Sequence, residues 1–153
     1  TPSGFVSADR GILFDVYEYM QLDAVAIEVD NAAFVSTIQL FDNGGQIVYT
    51  KTVSGLQLGL NTISLNFIIP PGSGYELRMS SISGGNSRYD LISDWNPYTY
   101  SFMNIVGGVP FSAVNYFFDW QVSLLGDCAS STDSINVGSP STNYRPPIRG
   151  YHR

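Results

Sequence analysis

The stretch SDWNPYTYSF, residues 93–102, gathers Asp94, Trp95, Asn96, Tyr98 and Tyr100 around Pro97. Aromatic faces stack on sugar rings, and carboxylate and amide groups orient hydroxyls. These residue types on one loop can therefore form a carbohydrate-binding platform. Arg88 and Tyr89 can line the same end. The same aromatics serve equally well as a cap on a folded domain or as cover at a subunit contact. A second aromatic stretch, NYFFDWQV, occupies residues 115–122. Alternation sends Tyr116, Phe118 and Trp120 to a core and leaves Phe117 pointing outward beside Asp119. An outward Phe on a sheet face needs a cover, supplied by a crossing loop or by a neighbouring subunit.

Catalytic chemistry finds less support. Asp15, Glu18, Glu28, Asp94 and Asp119 are the carboxylates from which a glycosidase pair would be drawn, but no motif sets two of them around a cleft. The single histidine, His152, stands near the chain end and would have to fold back to serve a Ser-His-Asp or Cys-His arrangement. No enzyme and no cofactor are expected. Asp30-Asn31 and Asp42-Asn43 are oxygen-rich turns of the kind that hold a structural Ca²⁺ at strand ends. Asx turns account for them without an ion, and no EF-hand spacing is present. No metal ligand is assigned. Cys128 is the only cysteine, which excludes an internal disulfide and a Cys-based zinc site and leaves a free thiol or a cross-link to another chain.

The elements that must position these residues read as strands. Apolar residues recur with period two. Val25, Ile27 and Val29 share one face of 22–30; Phe34, Ile38 and Leu40 share one face of 34–42; Ile63, Leu65, Phe67 and Ile69 share one face of 60–69. Asp42-Asn43-Gly44-Gly45 is a hairpin signal, because Asn and Gly tolerate positive φ. Pro70-Pro71-Gly72-Ser73-Gly74 ends one strand before the next begins. The pattern predicts eight or nine strands: 11–19, 22–30, 34–42, 46–54, 60–69, 75–82, 88–92, 100–106 and 115–125. That number of antiparallel strands forms an all-β, two-sheet sandwich of jelly-roll or Ig-like type.

Composition agrees. The chain of 153 residues suits one domain. It is 44% hydrophobic and only 13% charged, where about 25% charged is usual, and it holds ten Tyr and nine Phe. Such a balance favours an extracellular β protein. The net charge of -6 argues against nucleic acid as a partner. No apolar run approaches the ~20 residues of a membrane helix, and no membrane insertion is expected.

The order GILFDVY, LDAVAIEV, IQLFDNGGQIVYTKTV, LNTISLNFIIPPGSGYELRM, NYFFDWQVSL resembles β-sandwich modules of large secreted surface proteins of Bacteroidetes, many exported by the type IX secretion system. The resemblance spans roughly residues 10–125. IPPGSGYEL and the closing aromatic motif are its most specific parts. It implies an extracellular antiparallel sandwich that acts as a stalk, an adhesive domain or a sugar-binding appendage.

The sandwich is expected over 1–127, followed at 128–153 by an extended Ser-, Gly- and Pro-rich tail. The body carries twelve acids and four bases, the tail Asp133 against Arg145, Arg149 and Arg153. The tail is thus complementary in charge to the body or to a copy of it. Tyr144, Pro146, Pro147, Ile148 and Tyr151 offer apolar contacts along it, and the paired prolines pre-extend the chain. Together with Phe117, Arg145 and Arg149 they form the expected interface, either as a docking arm or as a linker to a following domain. The leading expectation is a structural or adhesive surface module that engages copies of itself or neighbouring domains, as a filament or surface-layer subunit. The alternative is a carbohydrate-binding module that uses the aromatic loop on a polysaccharide.

Overall fold

The computed structural model describes residues 3–91, 99–109, 114–126 and 130–135. In chain order the strands are β1 (Ser3–Val6), β2 (Arg10–Val16), β3 (Met20–Val29), β4 (Val35–Phe41), β5 (Ile47–Val53), β6 (Gly59–Ile69), β7 (Gly72–Ser83), β8 (Ser87–Leu91), β9 (Met103–Val109), β10 (Val114–Asn115), β11 (Phe118–Leu125) and β12 (Ser130–Ile135). All strand pairings among the described residues are antiparallel, in two sheets. One sheet has the order β5-β4-β7-β2-β9. In the other, β3 pairs with β6 along one edge and with β11 and then β8 along the other; β12 extends β11, while β1 and β10 flank β8. The protein is an all-β, two-sheet antiparallel sandwich.

All nine expected strands are present. Three more lay outside the periodic pattern. β1 and β10 are too short to show one, and Ser130–Ile135 has no apolar alternation. That last segment falls within the expected tail, yet it pairs with β11 over its whole length, so the sheet continues past residue 127.

The faces of β4 and β6 follow the alternation read from sequence. Ile38 and Leu40 are buried on β4, and Ile63, Leu65, Phe67 and Ile69 are buried on β6 with Ser64, Asn66 and Ile68 exposed between them. Phe14 meets Trp120 edge-on, with centroids 5.3 Å apart, and Tyr75 stacks on Phe14 at 5.7 Å. These aromatics join both sheets in one core, and burial of that apolar surface is the main force holding them together.

Alternation fails at the start of β11. Phe118 stands opposite Ala26 and Gln121 opposite Ala24, so Asp119 and Trp120 together face Val25 alone. Asp119 has φ 46°, and it is the extra residue of a β-bulge. The bulge shifts the facing of the aromatic run. Tyr116 and Phe117 lie just before β11, both buried in the core with Trp120, and the Trp120 indole N–H donates to the Phe117 carbonyl at 3.3 Å. The expectation that Phe117 points outward as an interface residue is therefore corrected: it is fully buried.

A tight contact closes the far end. Gly84 has φ +71°, and a Cβ there would run into the Ala33 carbonyl. Only glycine lets the β7–β8 turn lie against the β3–β4 turn in this way.

Candidate functional site

Two surfaces can make contacts: one end of the sandwich and one of its sides. The end is built by the turns β2–β3, β4–β5 and β6–β7 and by residues 99–102, which lead into β9. Strand β2 stops at Val16, short of the expected residue 19, and Tyr17-Glu18-Tyr19 makes the turn. Tyr17 is 52% and Tyr19 55% exposed. The Tyr17 N–H donates to the Phe102 carbonyl at 2.8 Å, so this turn sits against the C-terminal part of the 93–102 loop. Thr99 bridges to Asn104 by backbone pairing and by a side-chain bond of 2.8 Å.

The expected platform is placed only in part. Tyr100 is half-buried, stacks on Phe102 at 5.6 Å and packs against the core. Asp94, Trp95, Asn96 and Tyr98 lie outside the described residues, as do Tyr144, Arg145, Pro146, Pro147, Ile148, Arg149, Tyr151 and His152. Arg88 is drawn away to β3, where it bonds Glu28 at 3.2 Å. The exposed Tyr17 and Tyr19 were missed by sequence reading. Nothing between Val16 and Met20 marks a turn, since no Gly, Pro, Asn or Asp interrupts the run.

The carboxylates near this end hold backbone in place. Asp15 accepts the Gly74 N–H at 2.9 Å, which ties β2 to the start of β7. Asp42 accepts the N–H groups of Gly44 and Gln46, both at 2.9 Å, the Asx geometry expected of a turn. Tyr75 donates its hydroxyl to the Pro70 carbonyl at 2.9 Å; burial, with Asp42 and Tyr19 nearby, pushes its ionisation up. At the opposite end Asp30 accepts the backbone N–H and side-chain amide of Asn86 at 2.7 and 2.8 Å. Those two bonds hold its carboxyl below the ordinary range. Asp119 is the contrasting case, where burial raises the carboxyl. Among the described residues no group of three His, Cys, Asp or Glu side chains gathers as a metal site would require.

The side is formed by β5 and β6. Among the described residues, strand β5 is an edge of one sheet, paired with β4, and β6 is an edge of the other, paired with β3. They lie against each other: Tyr49 stacks on Phe67 at 4.7 Å with rings nearly parallel, and its hydroxyl donates to the Ile68 carbonyl at 3.1 Å. Ile47, Val48, Leu58, Leu60 and Ile68 are exposed apolar residues of this side, Ile47 at 55% and Leu58 at 72%. The span between Asp42 and Glu76 contains no acid and a single base, Lys51. In a chain of net charge -6, β5 and β6 thus present an almost uncharged surface, on which these apolar side chains stand among the exposed Thr50, Thr52, Thr62, Ser64 and Asn66. No protein-family model, curated protein or solved structure matches the chain.

Proposed function

We propose that the protein is a structural or adhesive module of an extracellular or cell-surface assembly, engaging copies of itself or neighbouring domains. The observation that carries this reading is the β5–β6 side, where exposed Ile47, Val48, Leu58, Leu60 and Ile68 coincide with a span holding one charge. Interface centres are depleted in charge and enriched in apolar side chains, which supports a contact role for this side. The resemblance to secreted surface modules and the low overall charge point the same way. The basic sequence of the tail, opposite in charge to the acidic body, supports a second means of contact. Light scattering of the full chain over a concentration series tests the reading. Association that is lost in the variant Ile47→Glu/Ile68→Glu supports it, and association indifferent to that variant removes the β5–β6 side from the account.

A second reading is favoured by Tyr17 and Tyr19, two exposed aromatics on a turn bonded to Phe102. With Asp94, Trp95, Asn96 and Tyr98 of the adjoining loop they would form a stacking platform for a polysaccharide. A polysaccharide pull-down that retains the chain, and that fails for Tyr19→Ala and Trp95→Ala, would favour this reading over the first.

A further inference from the structure

An asparagine side chain can be attacked by the backbone nitrogen of the next residue, most readily when that residue is small. The nitrogen loses its proton to solvent and bonds to the side-chain carbonyl carbon. The side-chain nitrogen then leaves as ammonia. Water opens the resulting cyclic imide at one of its two carbonyls and yields aspartate or isoaspartate. Two asparagines in the chain precede a glycine or a serine: Asn43-Gly44 and Asn86-Ser87. Both lie between strands, with Asn43 and Gly44 exposed and Asn86 half-exposed. Each is held by an aspartate, and the two are held at different atoms.

Between β4 and β5 the held atom is the attacking nitrogen. The N–H groups of Gly44 and Gln46 both donate to Asp42 Oδ1 at 2.9 Å. The Gly45 N–H donates to the Asp42 carbonyl at 3.0 Å, which closes a β-turn centred on Asn43 and Gly44. Neither central residue has a positive φ, and Gly45 follows at φ 78°. That combination is a type I turn followed by a left-handed glycine. Two obstacles to the reaction result. The Gly44 N–H is bonded to a carboxylate, whose charge disfavours the anion that must form on that nitrogen. Closing the ring also requires Asn43 Cβ and the Gly44 nitrogen to eclipse about the Cα–C bond, whereas a type I turn holds them roughly 90° apart.

Between β7 and β8 the held atoms belong to the residue under attack. Asp30 accepts the Asn86 side-chain amide at 2.8 Å and its backbone N–H at 2.7 Å. Ser87, which would supply the attacking nitrogen, is paired in the sheet with Val6 and Val29.

We infer that Asn43 and Asn86 are deamidation sites, each kept closed by its own aspartate, Asp42 and Asp30, and reactive when the turn around it opens. Conversion of Asn43 adds a carboxylate beside Asp42 and, as isoaspartate, one more carbon to the backbone of the turn. The β4–β5 hairpin then cannot recover its original bonds, so the modification records that it has opened.

The test incubates the full chain at neutral pH in water enriched in heavy oxygen, and peptide mass spectrometry counts conversion at each asparagine. Both sites should convert at least about ten-fold more slowly in the folded chain than in urea, because the reaction draws on the opened population alone. Asp42→Ala should speed Asn43 and leave Asn86 unchanged, and Asp30→Ala should do the reverse. That crossed pattern separates two local latches from a general loosening of the fold. Should Asp42→Ala not fold, Asp42→Ser makes the same comparison, since it keeps a weaker acceptor for the turn without the charge. Equal rates in the folded and the urea-unfolded chain would overturn the inference. So would acceleration of both sites by either variant, or of neither site by both.

Discussion

Phe118 and Trp120 stand two residues apart on β11 and face opposite sides of their sheet. Trp120 packs edge-on to Phe14 in the core, whereas Phe118, opposite Ala26, is buried outside that cluster. Asp119 between them takes the left-handed conformation that makes this switch. Asp and Asn enter that region more readily than other non-glycine residues. Asp119→Gly should therefore be close to neutral in urea unfolding. Asp119→Val should lower stability by about 1–2 kcal/mol, because a β-branched residue resists positive φ.

Phe117 is a core residue and not the outward-facing interface residue that alternation predicted. Phe117→Ala should cost about 3–5 kcal/mol, as large aromatic truncations in cores do. Self-association measured at a temperature where the variant remains folded should match the unaltered chain. An association change without a stability change would return Phe117 to the surface role.

Tyr116 is buried, and its hydroxyl donates to the Ala8 carbonyl at 2.7 Å. Burial pushes its ionisation up from 10.0 to about 12. The neutral form is thus favoured in the folded state. The unfolded chain ionises this residue first, so stability is full below pH 10 and declines as pH rises towards about 12. Denaturant midpoints should fall over that window. Tyr116→Phe should lose the bond to Ala8 and show a shallower alkaline decline.

Ser36 is buried on the core face of β4, and its hydroxyl has no hydrogen-bond partner among the described residues. A buried unsatisfied hydroxyl costs about 1–3 kcal/mol. Ser36→Ala removes the group with little change of volume. Thermal unfolding should show a midpoint equal to or above that of the unaltered chain; a clear drop would mean that the hydroxyl is satisfied.

The sandwich class and the core faces of β3, β4 and β6 were legible in the residues. On β4 and β6 one face is buried and the other lies in water, and such burial writes a period of two into the sequence; on β3 the larger Val25, Ile27 and Val29 marked the core face, although Ala24 and Ala26 between them are buried too. The turn at Asp42 was legible for a similar local reason, because its carboxylate satisfies backbone groups within four residues. Tertiary structure decided what alternation cannot encode. A bulge at Asp119 consumes one residue and turns Phe118 off the core face, and Phe117, just before the strand, went inward beside Tyr116. Tyr17 and Tyr19 continue an alternating run in sequence, yet β2 stops at Val16, where the chain must turn to enter the other sheet. Pairing partners were also beyond local reading. That β5 and β6 both end as edges on one side depends on how β3 and β4 are flanked, and those pairs join residues far apart in the chain. The missing charge between Asp42 and Glu76 could be read from the sequence alone; its meaning as a surface came only when the fold set β5 beside β6.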